Sequence, residues 1–176
     1  MRLTFSRWQA VDMQWGKVVV VVAVVVAVAA CNEDSNTASA PGETSPSPSV
    51  TFAQSTVLLD TDEGSVLIDV EVAETERQRR LGLMNRESLD DDSGMVFVFF
   101  EPSSGGFWMK NTTIPLSIAF FDVEGRILEI LDMDPCTEDP CPTYDPGVTY
   151  RGALEVNQGS FDEWGVEEGD VIRLNR

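Results

Sequence analysis

Met95-Val96-Phe97-Val98-Phe99-Phe100 is a run of six residues without one polar side chain. β-Branched and aromatic residues favour a pleated surface, and a strand with no polar face must be covered on both sides. The run is too short for a buried helix of ordinary length, so it predicts a strand buried on both faces. Upstream, Asp90 to Gly94 is turn-forming. Before it, Thr75-Glu76-Arg77-Gln78 has the spacing of a capping box, in which the Thr hydroxyl and the Gln side chain each satisfy a free backbone N–H. One short helix is therefore expected over Glu76 to Leu83.

Two further strands are expected ahead of that helix. Val66, Ile68, Val70 and Val72 fall on one face of Val66–Ala73, with Asp69 and Glu71 on the other. Asp62-Glu63-Gly64 is a turn, and Thr56 to Asp60 a first strand. Downstream, Gly106 to Asn111 reads as a strand. Ile114–Phe121 and Arg126–Leu131 form a hairpin around Asp122-Val123-Glu124-Gly125. Tyr150–Val156 and Val171–Leu174 complete the set, with a helical turn near Phe161. Seven or eight strands and one short helix predict an α+β, mainly β domain whose compact sheet is a half-open barrel.

The balance of charge is strongly acidic, with 12 Lys and Arg against 30 Asp and Glu. Without residues 1–30, which hold Arg2, Arg7, Lys17 and Asp12, the remainder carries 9 basic and 29 acidic residues. A phosphate backbone is repelled by such a surface, so no nucleic-acid partner is expected. Acidic, lysine-poor surfaces keep proteins soluble at high ionic strength, which makes a halophilic source one reading and an ordinary acidic secreted protein the other. The chain has no histidine, which removes Ser–His and Cys–His pairs and imidazole metal sites.

Val18 to Ala30 is thirteen residues of Val and Ala. As a helix it reaches roughly 20 Å, short of the ~30 Å hydrocarbon core of a bilayer. Lys17 precedes it and Val28-Ala29-Ala30-Cys31 ends it, an arrangement that fits a signal segment. The ending resembles the bacterial and archaeal lipobox, in which the cysteine is lipidated and becomes the new N-terminus. Residues 1–30 are thus expected to be a signal segment, with translation starting at Met1 or Met13. Residues 31–54 form a lipidated terminus and flexible linker rich in Ser, Thr and Pro, and residues 55–176 the domain. The expected place is the extracytoplasmic side of the cell membrane, reached through lipid on Cys31. Cys136 and Cys141 lie in the turn-rich Asp134–Pro142. Outside the reducing cytosol an even pair of cysteines is most simply a disulfide. A zinc site lacks further ligands, and the spacing is not that of a C-x-x-C redox pair.

Gly82-Leu83-Met84, Gly94-Met95-Val96-Phe97, Phe107-Trp108-Met109-Lys110-Asn111-Thr112, Ile114-Pro115-Leu116 and Leu154-Glu155 resemble, in order and spacing, the motifs of the DUF192 family. The resemblance covers about Val66 to Leu174 and extends to the loop from Pro135 to Tyr144. It implies a small, often exported, mainly β domain with a short helix, and it implies no activity. Many members carry Asp after the Pro-Leu, where this chain has Ser117.

Three functional readings follow. Trp108, Lys110, Asn111, Arg86 and Glu155 are candidate binding residues. In a strand, Trp108 and Lys110 would share a face, giving a groove floored by an aromatic ring. The plainer alternative buries Trp108 in the core and pairs Lys110 with an acid. Glu155, between Leu154 and Val156, is either a base of raised pKa or the structural partner of Arg86 or Lys110. The first reading is a membrane-anchored binding or accessory module with a protein or polymer partner. The second is a histidine-free hydrolase or lyase using Glu155 and Lys110, although no full catalytic set is identifiable and enzymatic activity is not favoured. The third is Cu(I) handling by Met84, Met95 and Met109, since thioethers bind that ion. No cofactor is indicated.

Overall fold

The computed structural model describes residues 49–175; the signal segment, Cys31 and most of the expected linker lie outside the described residues. The chain forms β1 (Ala53–Thr61), β2 (Gly64–Ala73), α1 (Glu76–Leu81), β3 (Ser93–Ser103), β4 (Phe107–Trp108), β5 (Leu116–Phe121) and β6 (Ile127–Met133). β7 (Thr143–Tyr144), β8 (Tyr150–Asn157), α2 (Ser160–Glu163) and β9 (Val171–Leu174) follow. The fold is mainly β, as expected, with nine strands and two short helices among the described residues rather than seven or eight and one. β1 opens at Ala53, two residues ahead of the expected Ser55 boundary.

Seven strands form one sheet in the order β6-β5-β8-β3-β2-β1-β9. Only β2 and β3 run parallel, and α1 is the crossover between them. The sheet curls until its outer strands meet. The Ile127 N–H donates to the Asp170 carbonyl at 2.8 Å, and the Ile172 N–H to the Gly125 carbonyl at 2.8 Å. This contact joins β6 to β9 at one end and leaves a half-barrel.

Side chains alternate across the central strands and so build two cores. One gathers Val57, Leu59, Ile68, Val70, Val96, Leu154 and Val156 with Phe161 of α2 and Ile172 of β9. The opposite face carries Met95, Phe97, Ile118, Phe120, Ala153 and Tyr150, covered by Leu83 and Met109 from the connecting segments. This explains the apolar run that predicted β3, because Val96 belongs to the first core while Met95 and Phe97 belong to the second. Its end departs from the expectation, since Phe100 is exposed.

The capping box forms as read. The Gln78 N–H donates to the Thr75 hydroxyl at 3.2 Å, and Gln78 Oε1 accepts from the Thr75 N–H at 2.9 Å. The helix stops at Gly82, whose φ of +48° suits a residue without Cβ. A Cβ there would also press on the Phe97 ring, 3.4 Å away.

Candidate functional site

The expected strand from Gly106 to Asn111 is cut to Phe107–Trp108. The Thr112 N–H reaches back to the Met109 carbonyl at 3.0 Å, and Asn111 takes φ +57°. Asn tolerates this left-handed geometry better than most residues. The strand therefore ends before Lys110, although the Lys110 ammonium still lies over the Trp108 ring. Met109 is buried in the core while Trp108 stays half-exposed, at 50%. Trp108 is therefore not a core residue.

What holds Trp108 in place is the cysteine loop. Phe107 pairs with Tyr144 and Trp108 with Thr143 in the two-stranded sheet β4-β7. The Asp134 N–H donates to the Tyr144 hydroxyl at 2.9 Å, and the Cys136 N–H to the Thr112 carbonyl at 3.1 Å. Cys136 and Cys141 are joined, with sulfurs 2.10 Å apart, in agreement with the expected pairing. Gly106 permits the close approach of β7, because a Cβ there would lie 2.5 Å from the Tyr144 carbonyl oxygen.

Between this small sheet, α1 and the second face of the large sheet lies a cavity of about 460 Å³. Phe97, Phe99, Phe107, Trp108 and Tyr150 are among its lining residues, as are Leu83, Met84 and Met109. Phe107 packs edge-on against Phe97, with ring centres 4.9 Å apart, and Phe99 against Tyr150 at 5.4 Å. Edge-to-face pairs of this kind hold aromatic walls in fixed orientation.

Glu155 also lines this cavity, and it decides the cavity's chemistry. β8 places it opposite Met95 of β3 and Ile118 of β5, both fully buried. Glu155 is only 6% exposed, and among the described residues its carboxyl has neither a hydrogen bond nor an ion pair. Every fully buried side-chain oxygen or nitrogen of the described residues has a hydrogen-bond partner. The Glu155 carboxyl therefore keeps a small opening, and the cavity is where it opens. Burial without a compensating charge pushes its pKa up from 4.5 to about 8. At neutral pH it is mostly the neutral acid, able to donate one hydrogen bond.

The partners expected for Glu155 are engaged elsewhere. Arg86 is bound to Glu71, beside a separate groove lined by Gln54, Asp69 and Ser88. Lys110 pairs with Asp139 at 2.6 Å and stands 5.0 Å from the centre of the Trp108 ring. The pairing of Lys110 with an acid is thus as expected, while the pairing of Glu155 with Arg86 or Lys110 is overturned. Of the five candidate binding residues, Trp108 and Glu155 line the cavity; Arg86, Lys110 and Asn111 do not. Met84 and Met109 also reach it, whereas Met95 is wholly buried and is not among its lining residues.

Two cations border the cavity. Arg79 donates to the Glu74 carbonyl and, at 3.0 Å, to the Val98 carbonyl, with its guanidinium 4.8 Å from the Phe99 ring centre. Arg80 pairs with Glu76 at 2.9 Å on the exposed side of α1. Sequence reasoning missed the contributions of Arg79, Phe99 and Tyr150, which come from segments far apart in the chain. Ser117, where the family often has Asp, faces the other core. Its hydroxyl bonds Asp132 at 2.5 Å and accepts the Gly159 N–H at 3.0 Å. A carboxylate from the neighbouring strand thus stands beside that position.

A model of the DUF192 family, described as "Uncharacterized ACR", matches residues 57–174. A crystal structure from Sinorhizobium meliloti, of a protein provisionally described as a transcription regulator, is similar at 32% identity and a TM-score of 0.66. The match covers 72% of this chain and 98% of that one. A protein of unknown function from Novosphingobium aromaticivorans is similar at 30% identity and a TM-score of 0.62, covering 67% of this chain and 83% of that one. No curated protein matches.

Proposed function

The chain belongs to the DUF192 family, and from that premise we propose that it is a binding module whose ligand seat is the cavity between Trp108 and Glu155. The observation that carries this reading is the Glu155 carboxyl, buried without a partner among the described residues and lining that cavity. Burying an unpaired carboxyl destabilises a fold. A ligand that satisfies it would recover that cost, which gives the arrangement a binding role that a structural one lacks. The volume and aromatic lining suit a small molecule or one protruding group of a larger partner.

This module is held on the extracytoplasmic side of the membrane by lipid on Cys31, which follows thirteen residues of Val and Ala. The formal net charge of −18 opposes a nucleic-acid partner, so transcriptional regulation is not carried over from the Sinorhizobium protein. The same acidity and the rarity of lysine support a salt-rich setting. Catalysis through Glu155 and Lys110 has no support from their positions, because Lys110 is held by Asp139 and stands outside the cavity lining.

A ligand screen by thermal melting tests the binding reading. Ligands should raise the melting temperature of the native protein and lose their effect in Trp108→Ala. Hits that stabilise Trp108→Ala equally would place the site elsewhere. Intact-mass analysis of protein from its native membrane tests the anchor: a mature chain beginning at a diacylated residue 31 is expected, and an unmodified internal Cys31 would refute it.

A further inference from the structure

We propose that the cavity takes an organic cation, an alkyl- or arylammonium group whose charge seats against Glu155 and whose apolar part lies against Phe107 and Trp108. The inference rests on the cavity being the ligand seat and adds the class of ligand. Three independent features point the same way.

The first is the missing counter-charge. Among the described residues Arg80 and Lys110 are paired with Glu76 and Asp139, while Arg79 at the rim is turned to two carbonyls and keeps its charge there. None reaches Glu155, so the carboxyl is left for a cation from outside. The second is the lining. Aromatic rings attract ammonium groups through their electron-rich faces, most strongly where water is excluded. The chain already uses the outer rings this way, with Arg79 near Phe99 and Lys110 near Trp108. The third is the field of the whole molecule. A chain with 30 acidic against 12 basic residues concentrates cations at its surface and repels anions.

Binding has a proton balance that reports the mechanism. The free carboxyl is mostly protonated at neutral pH, and a seated ammonium favours the carboxylate. The complex therefore gives a proton to the buffer as it forms. A neutral ligand that merely accepts a hydrogen bond from Glu155 would leave the proton in place.

Calorimetric titration of the full chain at pH 7 with benzylammonium, benzyl alcohol and benzoate tests this, using two buffers of different ionisation enthalpy. Benzylammonium should bind at least tenfold tighter than either analogue and release close to one proton. Glu155→Gln should abolish both the preference and the proton release. With benzyltrimethylammonium, which keeps its charge at every pH, the release from the unmodified chain should fade above pH 9, which provides the same test without a variant. If benzyl alcohol or benzoate binds as tightly, and Trp108→Ala still weakens it, the cavity is the seat but the cation inference is wrong. If none of the three binds, or Trp108→Ala changes nothing, the cavity reading falls with it.

Discussion

Replacing Glu155 by Gln should stabilise the protein in alkaline solution and do little in acid. The sign follows from where the carboxyl holds its proton, which is to about pH 8 in the folded protein but only to about 4.5 when exposed. Between those values the folded state binds more protons than the unfolded state, so stability falls as pH rises. Each tenfold difference in proton affinity between the two states is worth about 1.4 kcal/mol. The cost is then about 1 kcal/mol at pH 5 and roughly 5 kcal/mol at pH 9, where the folded carboxyl is mostly ionised. Gln keeps the shape and cannot ionise. Urea unfolding, followed by tryptophan fluorescence, should show the variant gaining about 4 kcal/mol on the parent between pH 5 and pH 9. Parallel pH profiles for the two proteins over that interval would refute the reasoning, since they would mean that Glu155 ionises normally and is not buried alone.

Trp108→Ala should cost on the order of 1–3 kcal/mol, the apolar area that its half-buried ring covers, while ligand-induced gains in melting temperature disappear. Gly106→Ala drives a Cβ to within 2.5 Å of the Tyr144 carbonyl oxygen. It should cost on the order of 1–3 kcal/mol in denaturant unfolding and weaken binding as β7 leaves β4. Replacing Cys136 and Cys141 together by Ser should lower stability by about 2 kcal/mol, the loop-closure entropy that the bond removes from the unfolded chain. Because their loop carries β7, binding should weaken as well, and unchanged affinity would detach the cysteine loop from the site. Raising KCl from low to molar concentration should raise the unfolding midpoint through screening of like charges; a flat or falling midpoint would count against a salt-rich setting.

The parts of the fold legible in the sequence are those governed by local pattern. The alternation of Val66, Ile68, Val70 and Val72, the Thr75–Gln78 box and the apolar run at Met95–Phe100 each specify their element through nearest neighbours. The segment from Gly106 to Asn111 was not legible, because its strand ends where Asn111 turns left-handed to meet Asn85, whose N–H donates to the Asn111 carbonyl at 2.9 Å. Such a long-range contact leaves no periodic trace. The same limit governs the site. Trp108 and Glu155 stood out individually, as an aromatic in a motif and an acid between two apolar residues. Their sharing one cavity with Phe97, Phe99 and Tyr150 depends on how far the sheet curls, and on how the cysteine loop folds back to pair β7 with β4. The wrong partners assigned to Glu155 have a physical source too. Pairing is the usual way to bury a carboxylate, and nothing in the sequence shows that Arg86 and Lys110 find nearer acids in Glu71 and Asp139.

The most direct measurement is a carbon-13 titration of the glutamate carboxyls in labelled protein, with Glu155 assigned by its loss in Glu155→Gln. A midpoint near 8, moving to lower pH when benzylammonium is added, is the result expected of a carboxyl enclosed without a counter-ion. A midpoint near 4.5, unmoved by the cation, would contradict it.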